Sequence, residues 1–327
     1  MEKAGVDKEN MYSVIDDLAN QCMAARRLAS GIKVTDVSNV IVTGMGGSAI
    51  AGDLLAAYLK DEKLPVFVNR DYNLPKFATK RSLVIVSSYS GNTEETVSAF
   101  RKALRIGCRI VAIGSGGKVK EICEETKTPH IKVPRGYEPR AALGFMFFPM
   151  LTVLENSKLI SSKKADVDKT ISILKKPVFR NMGRELAEKL VDKTPIIYSS
   201  ERFNPVAMRW KTQLNENVKI HAFYNTFSEM NHNEIMGYVN VKSNYFVLIL
   251  KDEEDHPRIK KRMTICKELI KEKGVHVMEV TIKGDCFLSK MFSTLYMGDW
   301  ASYFLAMKYG IDPTPVTIIE DLKKKMG

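Results

Sequence analysis

The chain is expected to be an α/β protein made of two doubly wound parallel sheets. Three observations predict this. Continuous β-branched runs, which suit strands buried on both faces, alternate with helical patterns. The alternation occurs twice along 327 residues, a length that allows two cores. Glycine- and hydroxyl-rich turns follow strands of the first half, where the ligand crevice of such a sheet lies.

Taken in order, residues 7–30 read as one helix, with Met11, Val14, Ile15, Leu18, Cys22 and Met23 at helical spacing and Gly31 as its stop. Residues 39–43 form a strand that enters Gly44-Met45-Gly46-Gly47-Ser48-Ala49 and then a helix through Ala51, Leu54, Leu55 and Tyr58. Further strands are expected at 65–69, 83–86, 108–113 and 130–134, with an amphipathic helix over 97–104. An apolar helix over 141–160 closes the first half, and 166–192 supplies helices between the halves. The pattern then restarts, with strands at 194–199, 219–224, 245–250 and 276–280 and helices at 206–215, 258–273 and 291–309. The expected domains are therefore 1–160 and 161–327.

With 45% hydrophobic and 27% charged residues, the composition is that of an ordinary soluble protein. No apolar run approaches the roughly 18 residues that span a bilayer. The polar start Met1-Glu2-Lys3 predicts no signal peptide. Cys22, Cys108, Cys123, Cys266 and Cys286 are scattered without a CxxC pair, which argues against a disulfide or zinc framework and for a reducing cytoplasm. Much of the +12 net charge lies in helical patterns such as 267–273, read as solvated faces; a basic balance also attracts small anions.

The stretch with most chemistry is Ser87-Ser88-Tyr89-Ser90-Gly91-Asn92-Thr93-Glu94-Glu95-Thr96. It sits on a strand-to-helix turn, where backbone N–H groups and a positive dipole end favour an anion. Ser88, Ser90 and Thr93 add hydroxyls, and Gly91 allows close approach. A phosphate cradle and a plain Ser/Thr N-cap with first-turn acids both fit these residues. Gly44–Ala49 has the loose form G-x-G-x-x-A, and Asp71 follows the next strand where a ribose-binding acid is expected. A nicotinamide oxidoreductase is thus the competing reading. The second hydroxyl-rich turn counts against it, because a dinucleotide site does not need one. After the third strand of the second half comes Lys251-Asp252-Glu253-Glu254-Asp255, which would repel phosphate.

Ser88-Tyr89-Ser90-Gly91-Asn92-Thr93 resembles the S-x-S-G-x-T phosphate loop of sugar isomerase (SIS) domains, and residues 44–53 resemble their first glycine turn. With Pro139-Arg140-Ala141-Ala142-Leu143-Gly144, Gln213-Leu214-Asn215-Glu216-Asn217 and Met230-Asn231-His232-Asn233-Glu234, the chain resembles the bifunctional phosphoglucose/phosphomannose isomerases. The resemblance implies two flavodoxin-like SIS subdomains, hexose 6-phosphate substrates, a cis-enediol route, no cofactor and no metal, and a homodimer. It implies no nucleic-acid or membrane partner. SIS-containing regulators carry a helix-turn-helix domain ahead of the sugar domain, and only about 38 residues precede the first strand here. The zinc-dependent phosphomannose isomerases use an H-x-H pair that is missing; His221, inside an expected strand, and His276 read as structural.

Gly46, Gly47, Ser48, Ser88, Ser90 and Thr93 are the expected substrate-binding residues. Glu216 is the expected base, since proton transfer between C1 and C2 calls for a carboxylate. Arg140, with Arg135 as rival, would steady the oxyanion. By the resemblance, His232 opens the ring from across a dimer interface, and Lys308 assists. The bifunctional members carry a small hydroxyl residue seven positions before the matching lysine; counting back from Lys308 reaches Ala301, with Ser302 beside it. Either the register is off by one or the hydroxyl is absent; by the resemblance it makes room for water and for rotation about C2–C3, which bears on the mannose 6-phosphate activity and not on the glucose 6-phosphate activity.

Overall fold

A computed structural model describes residues 5–326; the start Met1-Glu2-Lys3 lies outside them. The order is α1 (Met11–Asp16), α2 (Leu18–Leu28), β1 (Asn39–Thr43), α3 (Gly46–Tyr58), β2 (Val66–Asn69), β3 (Ser82–Ser87), α4 (Glu94–Ile106), β4 (Arg109–Gly114), α5 (Gly117–Thr126), β5 (His130–Lys132), α6 (Leu143–Asn156) and α7 (Lys164–Leu174). There follow α8 (Val178–Lys189), β6 (Thr194–Ser199), α9 (Asn204–Gln213), β7 (Phe223–Thr226), α10 (Phe227–Met230), β8 (Tyr245–Lys251), α11 (Pro257–Glu272), β9 (His276–Thr281), α12 (Phe287–Tyr309) and α13 (Thr317–Met326). The chain divides into two compact units, one of residues 16–175 and one joining the residues up to Ile15 to those from Lys176 onward.

In the first unit five parallel strands run in the order β2-β1-β3-β4-β5. Ile41, Val84 and Val86 pack on one face with Phe100 and Ala103 of α4 and Val119 and Ile122 of α5. On the other face Gly52 of α3 lies so near Val42 that a Cβ would come 2.8 Å from its methyl carbon. Covering both faces is what makes these strands continuous apolar runs rather than alternating ones. In the second unit four parallel strands run β7-β6-β8-β9. Tyr198, Val247 and Ile249 pack there with Phe227, Met263 and Cys266. The long helix α12 is buried over most of its length and receives Tyr12 of α1 edge-on against Trp300, ring centroids 4.9 Å apart.

Four expectations need correcting in detail. The single helix over 7–30 is two. The Asp7 carboxylate accepts the N–H groups of Met11 and Tyr12, which starts α1 late, and the chain restarts at Asp17 with α2 in the other unit. The break between units falls at 175/176 rather than 160/161, because α7 packs on α2 and its Asp166 accepts a 2.6 Å hydrogen bond from Tyr58 of α3. The strand expected at 219–224 begins only at Phe223, since Lys219 takes φ +64 to close the preceding helix; His221 therefore lies outside any strand. A final helix, α13, follows the last expected element and buries none of its residues. Among the described residues no helix is long and apolar enough to cross a membrane.

Candidate active site

In the first unit the turn between β3 and α4 is fixed by its own hydroxyls. The Gly91 N–H donates to both the carbonyl and the Oγ of Ser88, each at 3.1 Å. Ser88 Oγ in turn donates to Thr93 Oγ1 at 3.2 Å, and Asn92 N donates to Ser90 Oγ at 3.3 Å. Thr93 is the residue before α4, yet its side chain makes no cap hydrogen bond to the helix. The plain N-cap reading thus fails on geometry. The first-turn N–H groups of α4 donate no hydrogen bond to that hydroxyl. Gly91 has φ +74, and a Cβ there would collide with the Gly116 carbonyl, so no other residue fits this close approach.

Two further segments are tied to this turn. Ser48, buried at the start of α3, accepts the Tyr89 N–H on its Oγ at 3.0 Å, while its carbonyl accepts Ser87 Oγ–H at 2.8 Å. The glycine turn and the hydroxyl turn are thereby one structure. Beside Ser48, a Cβ on Gly47 would stand 2.8 Å from the backbone of Arg140. Gly46, exposed, takes φ +49. Arg140, only 3% exposed, sits in a short 3₁₀ turn, Pro139–Ala141, and donates to Glu138 at 3.1 Å. Its rival Arg135 is exposed and donates to the Ser115 carbonyl at 3.2 Å. The sequence-predicted Gly46, Gly47, Ser48, Ser88, Ser90, Thr93 and Arg140 are therefore brought together by three loops of this unit. Asp71, the acid of the dinucleotide reading, spends a carboxylate oxygen on Asn73 N–H at 2.9 Å.

The second unit carries Glu216 on an unusual backbone. After α9 the chain widens into a π turn, Leu214–Val218, before Lys219 ends it. Such widened turns are rare and recur at functional sites. Around Glu216 every neighbour with a polar side chain is engaged. Asn215 donates to the Ile220 carbonyl at 2.8 Å, Asn217 donates to Ser302 Oγ at 2.9 Å, and Lys219 Nζ donates to the Glu216 carbonyl and, at 3.1 Å, to that of Pro313. One turn earlier Arg209 grips Asp299 in two hydrogen bonds, at 3.1 and 2.8 Å, and Gln213 adds a third at 2.8 Å. Burial raises the Asp299 carboxyl above its ordinary range, with Arg209 and then Gln213 opposing. Arg209, Asp299 and Lys219 were not foreseen; no motif in the sequence distinguishes them.

His232 is exposed in a turn after α10 whose frame is pinned on both sides. Asn231 accepts from Arg262 at 3.1 Å and donates to Cys266 at 2.9 Å, while Asn233 donates to Glu229 at 2.5 Å. Glu234 accepts Tyr198 O–H at 2.7 Å and the Asn225 amide at 2.5 Å. Burial, with Tyr238 and Glu234 beside it, pushes the Tyr198 hydroxyl far above its ordinary range, so it stays a donor. Lys308 lies elsewhere on α12. Six residues beyond Ser302 is about 240° round the helix, and its ammonium pairs with Glu188 of α8. The hydroxyl turned toward the Glu216 segment is that of Ser302; Ala301 packs by its backbone against Gly183 of α8. Among the described residues no group of three His, Cys, Asp or Glu side chains is arranged to hold a metal ion.

Comparison with known proteins bears on the family and the fold. Residues 179–326 match the family model of the bacterial phospho-glucose isomerase C-terminal SIS domain. The chain is 40% identical to a bifunctional phosphoglucose/phosphomannose isomerase of Caldicellulosiruptor bescii, over 98% of each chain. It is 35% identical to another of that description from Aquifex aeolicus, over 97% of this chain and 98% of that one. A crystal structure from Clostridium difficile 630, described as a phosphosugar isomerase, superposes with a TM-score of 0.75 at 17% identity, covering 95% of this chain and 97% of the other. Likeness at that identity speaks for the fold alone.

Proposed function

The chain belongs to the family of bifunctional phosphoglucose/phosphomannose isomerases, and we propose that it interconverts glucose 6-phosphate and mannose 6-phosphate with fructose 6-phosphate. One observation supports this above the rest. The turn after β3 groups three hydroxyls at a helix start that no side chain caps, in a chain matching these isomerases over nearly its whole length. A helix start of this kind receives a phosphate monoester.

In this reading Ser48, Ser88, Ser90 and Thr93, with the backbone of Gly46 and Gly47, hold the 6-phosphate. His232 exchanges a proton with the ring oxygen as the hemiacetal opens, with Lys308 assisting. The Glu216 carboxylate takes the proton from C2 of the open aldose. The C–H electrons form the C1–C2 double bond, and the carbonyl oxygen becomes the enediolate oxygen that Arg140 steadies. A proton then passes from O2 to O1, the C1–C2 double bond gives way to C2=O, and Glu216 returns its proton to C1, giving the ketose. No redox change occurs, and neither metal nor nicotinamide enters. The protein acts in the cytoplasm as a homodimer whose partner copy supplies His232. The exposed Met236 and Val239, each 68% exposed a few residues past His232, are apolar surface suited to a partner, and none of the five cysteines forms a disulfide among the described residues.

The test is a coupled assay of fructose 6-phosphate conversion that reads glucose 6-phosphate and mannose 6-phosphate separately. Formation of both is expected. Absence of either product's aldose–ketose exchange, or turnover that requires added nicotinamide, overturns the corresponding part.

A further inference from the structure

We infer that the Asn217–Ser302 hydrogen bond is the device that positions Glu216, which makes Asn217 and Ser302 positioning residues of the reaction. The inference rests on the reading of Glu216 as the base. Arg209, Gln213 and Asn217 recur every four residues along α9 and its π turn. All three reach α12, the first two at Asp299 and the third at Ser302. Ser302 is fully buried and Asn217 is 1% exposed. The serine hydroxyl does two things at once: it donates to the Asp299 carbonyl at 2.8 Å and accepts the Asn217 amide at 2.9 Å. An alanine at 302 would take the Ser302 acceptor from the Asn217 amide in a dry site, which costs more than the bond itself contributes.

The backbone explains why a fixed point is needed here. A π turn has no propensity of its own and persists only where its surroundings over-determine it. Asn217 turned onto α12 leaves the adjacent Glu216 turned off that contact and half-buried. If Asn217 slips, the turn relaxes toward α-helical geometry and the Glu216 carboxylate rotates with it. Displacements near 1 Å in a reacting group cost about 100-fold in rate. The hydroxyl of Ser302 is in this view committed to the protein and not to the sugar.

The experiment measures Ser302→Ala, Asn217→Leu and the double variant in the full chain, with fructose 6-phosphate and with C2-deuterated glucose 6-phosphate. Each single variant should lower kcat about 10- to 100-fold, leave KM and inhibition by inorganic phosphate unchanged, and raise the isotope effect as proton transfer becomes slower than the other steps. The double variant should be no worse than the singles, since both remove one device. Ser302→Thr, which keeps the hydroxyl, should restore the rate and carries the test if Ser302→Ala does not fold. Wild-type kcat in the singles, or additive losses with an unchanged isotope effect, overturns the inference. Glu216→Gln measured alongside separates the two failures. If it is inactive while Ser302→Ala is fully active, only the positioning is wrong; if it is active, the base is misassigned and this inference falls with it.

Discussion

The two units wind their strands alike, β2-β1-β3-β4 in one and β7-β6-β8-β9 in the other, yet the corresponding turns have opposite chemistry. After β3 the chain offers hydroxyls and N–H groups with an uncapped helix start. After β8, the strand in the same topological place, it offers carboxylates, and its own cations occupy them. Lys290 of α12 stands 2.8 Å from Asp252 and 2.9 Å from Glu254, Arg202 is 3.6 Å from Asp252, and the Arg202 guanidinium covers the Phe287 ring at 4.6 Å. Burial lowers the Lys290 ammonium, but its bonds to Asp252 and Glu254 outweigh that and hold it above its ordinary value. One frame thus places hydroxyls at this turn, and the other fills the equivalent place with ion pairs. The second unit is left to specialise at another point, the widened exit of α9.

That contrast can be broken from either side. The largest effect is expected from Lys290→Met, which leaves the 1%-exposed Asp252 poorly compensated. Stability should fall by about 3–5 kcal/mol, seen as a lower thermal midpoint, while inhibition by inorganic phosphate is unchanged in the folded protein. Gly91→Ala comes next. It forces a side chain into left-handed backbone against the Gly116 carbonyl, and phosphate inhibition should weaken by a factor reflecting about 3 kcal/mol of strain. If instead it binds phosphate as before, the turn is not the cradle. Ser90→Ala should raise KM about tenfold and alter kcat less than twofold, the loss of one hydrogen bond to a charged group. The reverse split would mean that the turn takes part in the reaction. Smallest of all, a chelator should leave both rates unchanged.

The parallel sheets were readable because both faces of each strand are covered, which writes the strand into the chain as an unbroken run such as Leu83–Val86. The hydroxyl-rich turn was readable because its residues are contiguous. What escaped the sequence depends on contacts far along the chain. Nothing local says that residues 7–30 break at Asp17, that α7 packs on α2, or that Asp166 accepts Tyr58 from over 100 positions away. The edge strand β7 is short and partly exposed, so its start at Phe223 had no periodicity to mark it. The π turn was hidden for the same reason. Its Asn217 bonds Ser302, 85 residues on, a contact that the composition of 214–218 does not mark. Lys308 lies on α12, where its ammonium pairs with Glu188 of α8, a contact that nothing near it in the chain marks.

The proposed division of labour between the two units is tested most directly by one pair of numbers for Glu216→Gln: kcat for fructose 6-phosphate and the inhibition constant for inorganic phosphate. The variant should lose about 10²- to 10⁴-fold in kcat, the range for removing a general base, with the inhibition constant unchanged. A variant that keeps kcat within tenfold of the parent, or that loses phosphate inhibition together with turnover, would contradict the separation of handle from chemistry.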